Sequence, residues 1–331
     1  MEKICVVGSG AWGSAIAALL CKNGHQVTLW SYEKEIAQGL QETGLTPRLP
    51  GVRLPEGIAH TSDISCVKGH DIVVIVSPSF ALRQTCRSLA PYLEETAVLV
   101  SATKGIEPGT GLRMSQIVAQ ETNKTVAVLS GPSHAEEVSR GIPTGCVIAC
   151  DEKAVAERLQ DVFMSRRFRV YSSPDVVGVE LGGALKNVIA LCAGICDGMG
   201  FGDNTRALLM TRGLTEIARL GMAMGSRQET FAGLTGVGDL IVTCTSVHSR
   251  NHQAGLLIGQ GVPVEEAMQQ VGAVVEGYYA ARAAKELAGK MGVEMPITEQ
   301  AYALLYEGAN AHDAIGRLMC RQKKTEAAGW I

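Results

Sequence analysis

Aromatic residues are scarce in this 331-residue chain: five Phe, three Trp and seven Tyr make up 5% of it. With so few large rings, the interior must be filled by aliphatic and small side chains, and at 46% hydrophobic content these are plentiful. A dominant charge is also lacking, since 30 Lys and Arg stand against 33 Asp and Glu for a net charge of −3. That balance gives no general electrostatic footprint for nucleic acid, so any phosphate binding is expected to come from a local site. The ten cysteines form no CxxC pair, and no secretory signal precedes the first strand, so a reduced cytoplasmic protein is expected. Cys146 with Cys150, Cys192 with Cys196, and His248 with His252 have ligand-like spacing, but nothing nearby completes a tetrahedral set and no metal site is expected. No apolar run is expected to reach the length of a membrane span.

What is present begins at the N-terminus. The apolar run Ile4 to Val7 passes directly into Gly8-Ser9-Gly10-Ala11-Trp12-Gly13 and then into the helix-like stretch from Ser14 to Leu20. A buried strand, a GxGxxG turn and an apolar helix in that order build a pyrophosphate cradle, because glycines let the backbone approach the ligand while the helix N-terminus faces its charge. Short β-branched runs then alternate with helix-like segments: Gln26 to Trp30, Asp71 to Val76, Ala97 to Ser101, Val126 to Ser130, Cys146 to Ala149 and Phe168 to Tyr171. This alternation predicts βαβ units and an α/β, Rossmann-type N-terminal domain over residues 1–173, with a mostly parallel twisted sheet. Pro47, Pro50 and Pro55 mark an irregular connection before the Asp71 run.

After Ser173 the pattern changes to long Ala- and Leu-rich segments, Val176 to Cys196, Asn204 to Met224 and the shorter Val264 to Val271. These predict an all-α C-terminal domain over residues 174–331, with Pro174 in the first turn of its first helix and several helices buried. The polar end from Gln322 to Gly329 is expected to be loosely ordered.

Within the first long helix, the spacing places Lys186, Ala190, Ala193 and Asp197 along one stripe. A lysine among small apolar neighbours is poorly solvated, which lowers its proton affinity and suits it to exchange a proton with a substrate oxygen. The same lysine fits a side chain that reaches solvent or pairs with Glu180. Lys104 follows the strand Ala97 to Val100, at the carboxyl edge where open α/β sheets bind ligands, and equally fits a solvated surface lysine. The turn Ser130-Gly131-Pro132-Ser133-His134-Ala135 offers hydroxyls and amides to a phosphate, or an ordinary helix cap. In the helical half, Asp239 can orient a hydroxyl or cap a helix. Arg250, flanked by Ser249 and Asn251, offers a permanently charged fork for phosphate or a surface charge.

The motifs GSGAWGSA, SATKGIE, SGPSHAEEV, ELGGALKNVIA, GLTGVGDL, SRN and VVEGY, in that order along nearly the whole chain, strongly resemble the bacterial NAD(P)-dependent sn-glycerol-3-phosphate dehydrogenases. The resemblance implies a 6-phosphogluconate dehydrogenase-like arrangement of the two domains. It also implies reversible hydride transfer between NADPH or NADH and dihydroxyacetone phosphate, giving sn-glycerol 3-phosphate for glycerophospholipid synthesis. Carried over residue by residue, it makes Lys186 the proton donor and acceptor at the C2 oxygen. It places Lys104, Gly131, Ser133, Lys186, Asp239, Ser249, Arg250 and Asn251 around the substrate. For the cofactor it implies Gly8, Gly10, Ala11, Trp12, Gly13, Tyr32, Lys104, Ala135, Arg250, Val274 and Glu276, with Glu276 alternatively a salt-bridge partner of Arg250. A homodimer is expected, with no nucleic-acid partner and no integral membrane segment.

An acidic residue at the end of the second strand would bind ribose hydroxyls and repel the extra phosphate of NADP. Ser31 stands there, Glu33 lies close by, and Lys34 or Arg53 can offset it, so dual use with a lean to NADPH is expected. The competing readings are another two-domain dehydrogenase acting on a hydroxy acid or sugar acid, and a protein that binds NADPH without turnover.

Overall fold

Alternation of apolar side chains sends the first strand into the centre of a sheet. In the computed structural model, which describes residues 1–323 and 325–326, β1 (Lys3–Val7) turns Ile4 and Val6 toward one core and Cys5 and Val7 toward another. The other strands are β2 (Gln26–Trp30), β3 (Ala59–Thr61), β4 (Ile72–Ile75), β5 (Val98–Ser101), β6 (Val126–Ser130), β7 (Thr144–Ala149) and β8 (Phe168–Ser173). Their spatial order is β3-β2-β1-β4-β5-β6-β7-β8. Every pairing from β3 across to β6 is parallel, and the order reverses between β1 and β4, whose carboxyl ends flank the crevice that such sheets use for ligands.

The expected strands lie within two residues of those observed, while β3 has no counterpart in the sequence reading. It is three residues long and its Ala-His-Thr carries no apolar alternation, so it leaves no periodic signal. β7 runs antiparallel to β6. The intervening helix Ala135–Ser139 has five residues and advances only about 7.5 Å, too little to return the chain to the start of a parallel neighbour.

Beyond β8 the described residues form only helices and their connections. The helix Val176–Gly198 runs through the middle of this half, and its cap is Asp175 rather than Pro174, which lies one residue further out. The Asp175 carboxylate accepts from the Gly178 amide at 2.9 Å, and also from Ser226 Oγ at 2.8 Å, the Arg227 amide at 2.9 Å and Thr230 Oγ1 at 2.6 Å. At 23 residues this helix is long and apolar enough to cross a membrane, contrary to the expectation that no run reaches that length, and it is almost wholly buried within the protein. Half of the polar end from Gln322 to Gly329 falls outside the described residues.

Glycines set how closely the central helix meets Arg250–Gly259. A Cβ at Gly194 would lie 2.1 Å from the His252 carbonyl oxygen, one at Gly255 2.0 Å from that of Leu191, and one at Gly259 2.2 Å from that of Ile195. Backbone therefore rests on backbone, which fixes the start of the second helix against the middle of the first. There Asn251 Nδ2 donates to Asn187 Oδ1 at 3.0 Å, and Asn251 Oδ1 accepts from the Gly277 amide at 2.8 Å. Gly255→Ala must force these helices apart and is expected to cost about 1–3 kcal/mol. Thermal unfolding would register that loss, and an unchanged melting temperature would contradict the close contact.

Candidate active site

The carboxyl ends of the central strands are joined by a chain of contacts. Gly8 adopts φ +121°, and a Cβ there would lie 2.7 Å from the Val76 carbonyl oxygen just beyond β4. A Cβ at Gly13 would lie 1.8 Å from the Gly8 oxygen, so both positions require glycine for close approach. Gly10 differs: it stands at the N-cap of the helix Ala11–Lys22, where a Cβ would meet nothing within 4 Å. Its backbone thus presents open space before a helix N-terminus, as a pyrophosphate cradle requires. Trp12 packs partly against the core beside this turn, and its indole Nε1 is buried without a hydrogen-bond partner among the described residues. The hydroxyls of Ser31, Ser77, Ser101 and Ser130, all at or just past strand carboxyl ends, are likewise buried and unpartnered. Cradle and orphaned donors together fit a large polar ligand such as a dinucleotide.

From Ser77 the contacts pass to β5 and across the domain boundary. Thr103 Oγ1 donates to the Ser77 carbonyl at 2.8 Å, and the next residue, Lys104, sends its Nζ to the Gly131 carbonyl at 3.0 Å and to Asp239 Oδ2 at 2.7 Å. Asp239 is 1% exposed and opens the helix Asp239–Thr245 after one π-helical turn, Leu234–Gly238. Its other oxygen accepts from Lys186 Nζ, which also donates to Thr243 Oγ1 at 2.6 Å. One buried carboxylate is therefore shared by an ammonium from each domain. A Cβ at Gly183 would lie 2.5 Å from Ser130 Oγ, so this face of the central helix lies directly against the end of β6.

Burial of the Lys186 ammonium pulls its pKa down to about 8; Asp239 acts in the opposite direction and the Lys104 charge adds to the fall. Glu180 is not its partner. That carboxylate accepts from the Ser115 amide at 2.7 Å, from Ser115 Oγ at 2.6 Å and from Arg113 Nη1, tying the central helix to the sheet domain. Asp197, on the same stripe, pairs with Arg206 at 2.8 Å and with His252 at 2.7 Å.

The remaining candidates divide into those near the cluster and those apart from it. Gly131 supplies the carbonyl that holds Lys104, and Ser133 Oγ donates to the same oxygen at 3.1 Å instead of capping a helix. Ala135 is the first residue of its short helix. Ser249 is the buried N-cap of Arg250–Gly259, accepting from the His252 amide at 3.2 Å. Arg250 is exposed and forms no ion pair among the described residues. Glu276 does not bond to Arg250, contrary to one expectation: it accepts from the Ser79 amide at 3.2 Å and from Ser79 Oγ at 2.6 Å. Burial raises the Glu276 pKa most, opposed by the Ser79 hydrogen bonds and by the nearby Arg250 charge. Val274, partly buried, lies in the turn just before this helix, Glu276–Met291.

Tyr32 is exposed and meets the Trp30 ring edge-on at 6.2 Å between centroids. Glu33 pairs with Arg48 at 3.3 Å, so Arg48 rather than Lys34 or Arg53 offsets its charge. Thr243, Ser79, Arg48 and Asn187 escaped the sequence reading. Only Thr243 carried a signal there, lying one helical turn beyond Asp239.

Comparison with known proteins agrees with this geometry. Residues 3–156 match the model of the NAD-dependent glycerol-3-phosphate dehydrogenase N-terminus, and residues 175–316 match that of its C-terminus. A glycerol-3-phosphate dehydrogenase (NAD(P)+) of Moorella thermoacetica is 52% identical over 333 residues, covering 99% of each chain. One from Fusobacterium nucleatum subsp. nucleatum is 51% identical over the full length of both. The crystal structure of glycerol-3-phosphate dehydrogenase from Coxiella burnetii superposes with a TM-score of 0.93 at 38% identity, over 97% of this chain and 99% of that one. With both halves matched and such identity sustained end to end, this chain belongs to the NAD-dependent glycerol-3-phosphate dehydrogenase family.

Proposed function

We propose that this chain reduces dihydroxyacetone phosphate reversibly to sn-glycerol 3-phosphate, the backbone of glycerophospholipids, with Lys186 exchanging the proton of the C2 oxygen. The observation that carries this reading is the buried Asp239 carboxylate shared by Lys186 and Lys104. Residues 8–13, Trp12 among them, would hold NAD(P)H, which would supply the hydride. An ammonium has three N–H donors. Lys186 commits two, to Asp239 and Thr243, and keeps one for the C2 oxygen. Lys104 likewise commits two, to Gly131 and Asp239, and keeps one for the substrate phosphate. Two ammoniums against one carboxylate leave the cluster with a net positive charge, which favours both the phosphate and the oxyanion that develops at C2. Arg250, exposed at a helix N-terminus beside Asn251, adds a second phosphate donor.

At the adenosine end the neutral Ser31 and the pairing of Glu33 with Arg48 leave the ribose 2′ position free of unopposed negative charge. This supports use of both cofactors with a lean to NADPH; an NADH preference above about a hundredfold in kcat/KM would overturn the lean. The reading includes a division into domains at residues 173 and 174 and a cytoplasmic homodimer. The free thiols suit a reducing compartment, and light scattering tests the dimer.

Lys186→Ala is expected to lose about 10²–10⁴-fold in turnover while still binding NADPH; near-normal turnover would remove Lys186 from the chemistry. Arg250→Ala should lower activity on dihydroxyacetone phosphate far more than on dihydroxyacetone, and equal losses on both would reject its role as a phosphate donor.

Below its pKa Lys186 has a proton to give, and above it none, so the reduction rate should fall as pH rises through about 8 while the oxidation rate climbs. Because the Lys104 charge lowers that pKa, Lys104→Met should move the alkaline limb of kcat upward. Steady-state rates at saturating substrate from pH 6 to 10 check this, and an unmoved or lowered limb contradicts it.

A further inference from the structure

Two thiols lie beneath the dinucleotide cradle, and the hydride reaction uses neither. Cys5 is in the middle of β1, wholly buried, in the strand that runs into the Gly8 turn. Cys66 is partly exposed, in the single 3-10 turn Ile64–Val67 that follows β3. Their sulfurs are 3.7 Å apart although the residues are 61 positions apart in sequence. Either sulfur can donate to the other; with Cys5 as the donor, the hydrogen bond lowers the Cys66 pKa and raises that of Cys5, while burial acts against the first and with the second. A partly exposed cysteine within reach of a buried thiol is the arrangement of an attacking and a resolving cysteine.

We propose that Cys5 and Cys66 form a reversible disulfide site for hydroperoxides, and that closing it weakens dinucleotide binding. The Cys66 thiolate attacks one oxygen of the peroxide and the O–O bond breaks, forming a sulfenic acid; the alkoxide or hydroxide that leaves takes up the proton Cys66 lost on ionising and departs as the alcohol or water. The Cys5 sulfur then attacks the sulfenyl sulfur; the S–S bond forms, and the hydroxide that leaves takes the Cys5 proton as water. Two thiols are oxidised by two electrons and one peroxide is reduced. A dithiol reductant reverses the change.

Closure brings the sulfurs from 3.7 Å to about 2 Å. β1 is fixed between β2 and β4, so the turn that carries Cys66 must move. That segment is bonded to the end of β2: the Ser31 amide donates to the Thr61 carbonyl at 2.9 Å, and Trp30 Nε1 to the Ser62 carbonyl at 3.1 Å. The carboxyl end of β2 is where a Rossmann domain holds the ribose of its dinucleotide, so the pull is transmitted to the cofactor and not to the Lys186 cluster.

The test uses the full chain carrying Cys320→Ser, which removes the exposed thiol. It is treated with hydrogen peroxide and alkylated for peptide mass mapping, and in parallel titrated with NADPH by fluorescence. The expected result is a Cys5–Cys66 linked peptide with a rise in Kd of at least about threefold, reversed by dithiothreitol and absent in Cys66→Ser and Cys66→Ala. Failure to find the linked peptide, an unchanged Kd when it forms, or the same rise in the Cys66 variants would each overturn the proposal. Because the readout is binding, a negative result here leaves the assignment of the reaction untouched.

Discussion

The structure turns on a carboxylate buried between two cations. Asp239, almost without solvent, receives an ammonium at each of its oxygens, Lys104 from the sheet domain and Lys186 from the helical one. Removing charges from water is costly unless their partners are in place: Lys186 finds Asp239 and Thr243 within the helical half, and Lys104 crosses from the sheet domain to the second oxygen of the same carboxylate. Opposed influences act on Lys186 there: burial drives it toward the neutral amine, Asp239 restrains it, and its pKa is pulled down to about 8.

Other buried acids keep the domains in register around that point. Glu180 reaches from the central helix to Arg113 and Ser115, and Glu276 reaches from the helical half to Ser79 beyond β4. Each accepts from a backbone amide as well as a side chain, so each fixes a position of the main chain. The glycine contacts between Val176–Gly198 and Arg250–Gly259 do the same by exclusion, since no side chain separates the two backbones. Ser249, Arg250 and Asn251 are placed by that contact and make no direct bond to the lysine cluster.

The cofactor end is built differently. Close approach by Gly8 and Gly13 shapes the cradle, and Gly10 leaves the helix N-terminus open. The end of β2 carries exposed groups: Tyr32, and the half-exposed pair of Glu33 and Arg48. Exposed pairs are weak and rearrange at little cost, which accords with a family whose relatives are named for both cofactors. The thiols of Cys5 and Cys66 lie toward this end, apart from the buried cluster of Lys104, Lys186 and Asp239.

Local sequence carried the strands, the glycine turn, the long helices and the change of pattern after Ser173, because each is written in a period of two or 3.6 residues or in a turn chemistry that neighbours alone decide. Ordered motifs in both halves carried the family. The three-residue β3 had no period to display, and the reversal at β7 followed from a helix too short to cross the sheet. Which partner each charge takes lay beyond sequence: Glu180 with Arg113 and not Lys186, Glu276 with Ser79 and not Arg250, and Glu33 with Arg48 and not Lys34 or Arg53. Those choices join residues up to 197 positions apart, and they are made by the packing that brings such residues to one place, where desolvation makes an unpaired charge costly and geometry decides which partner arrives.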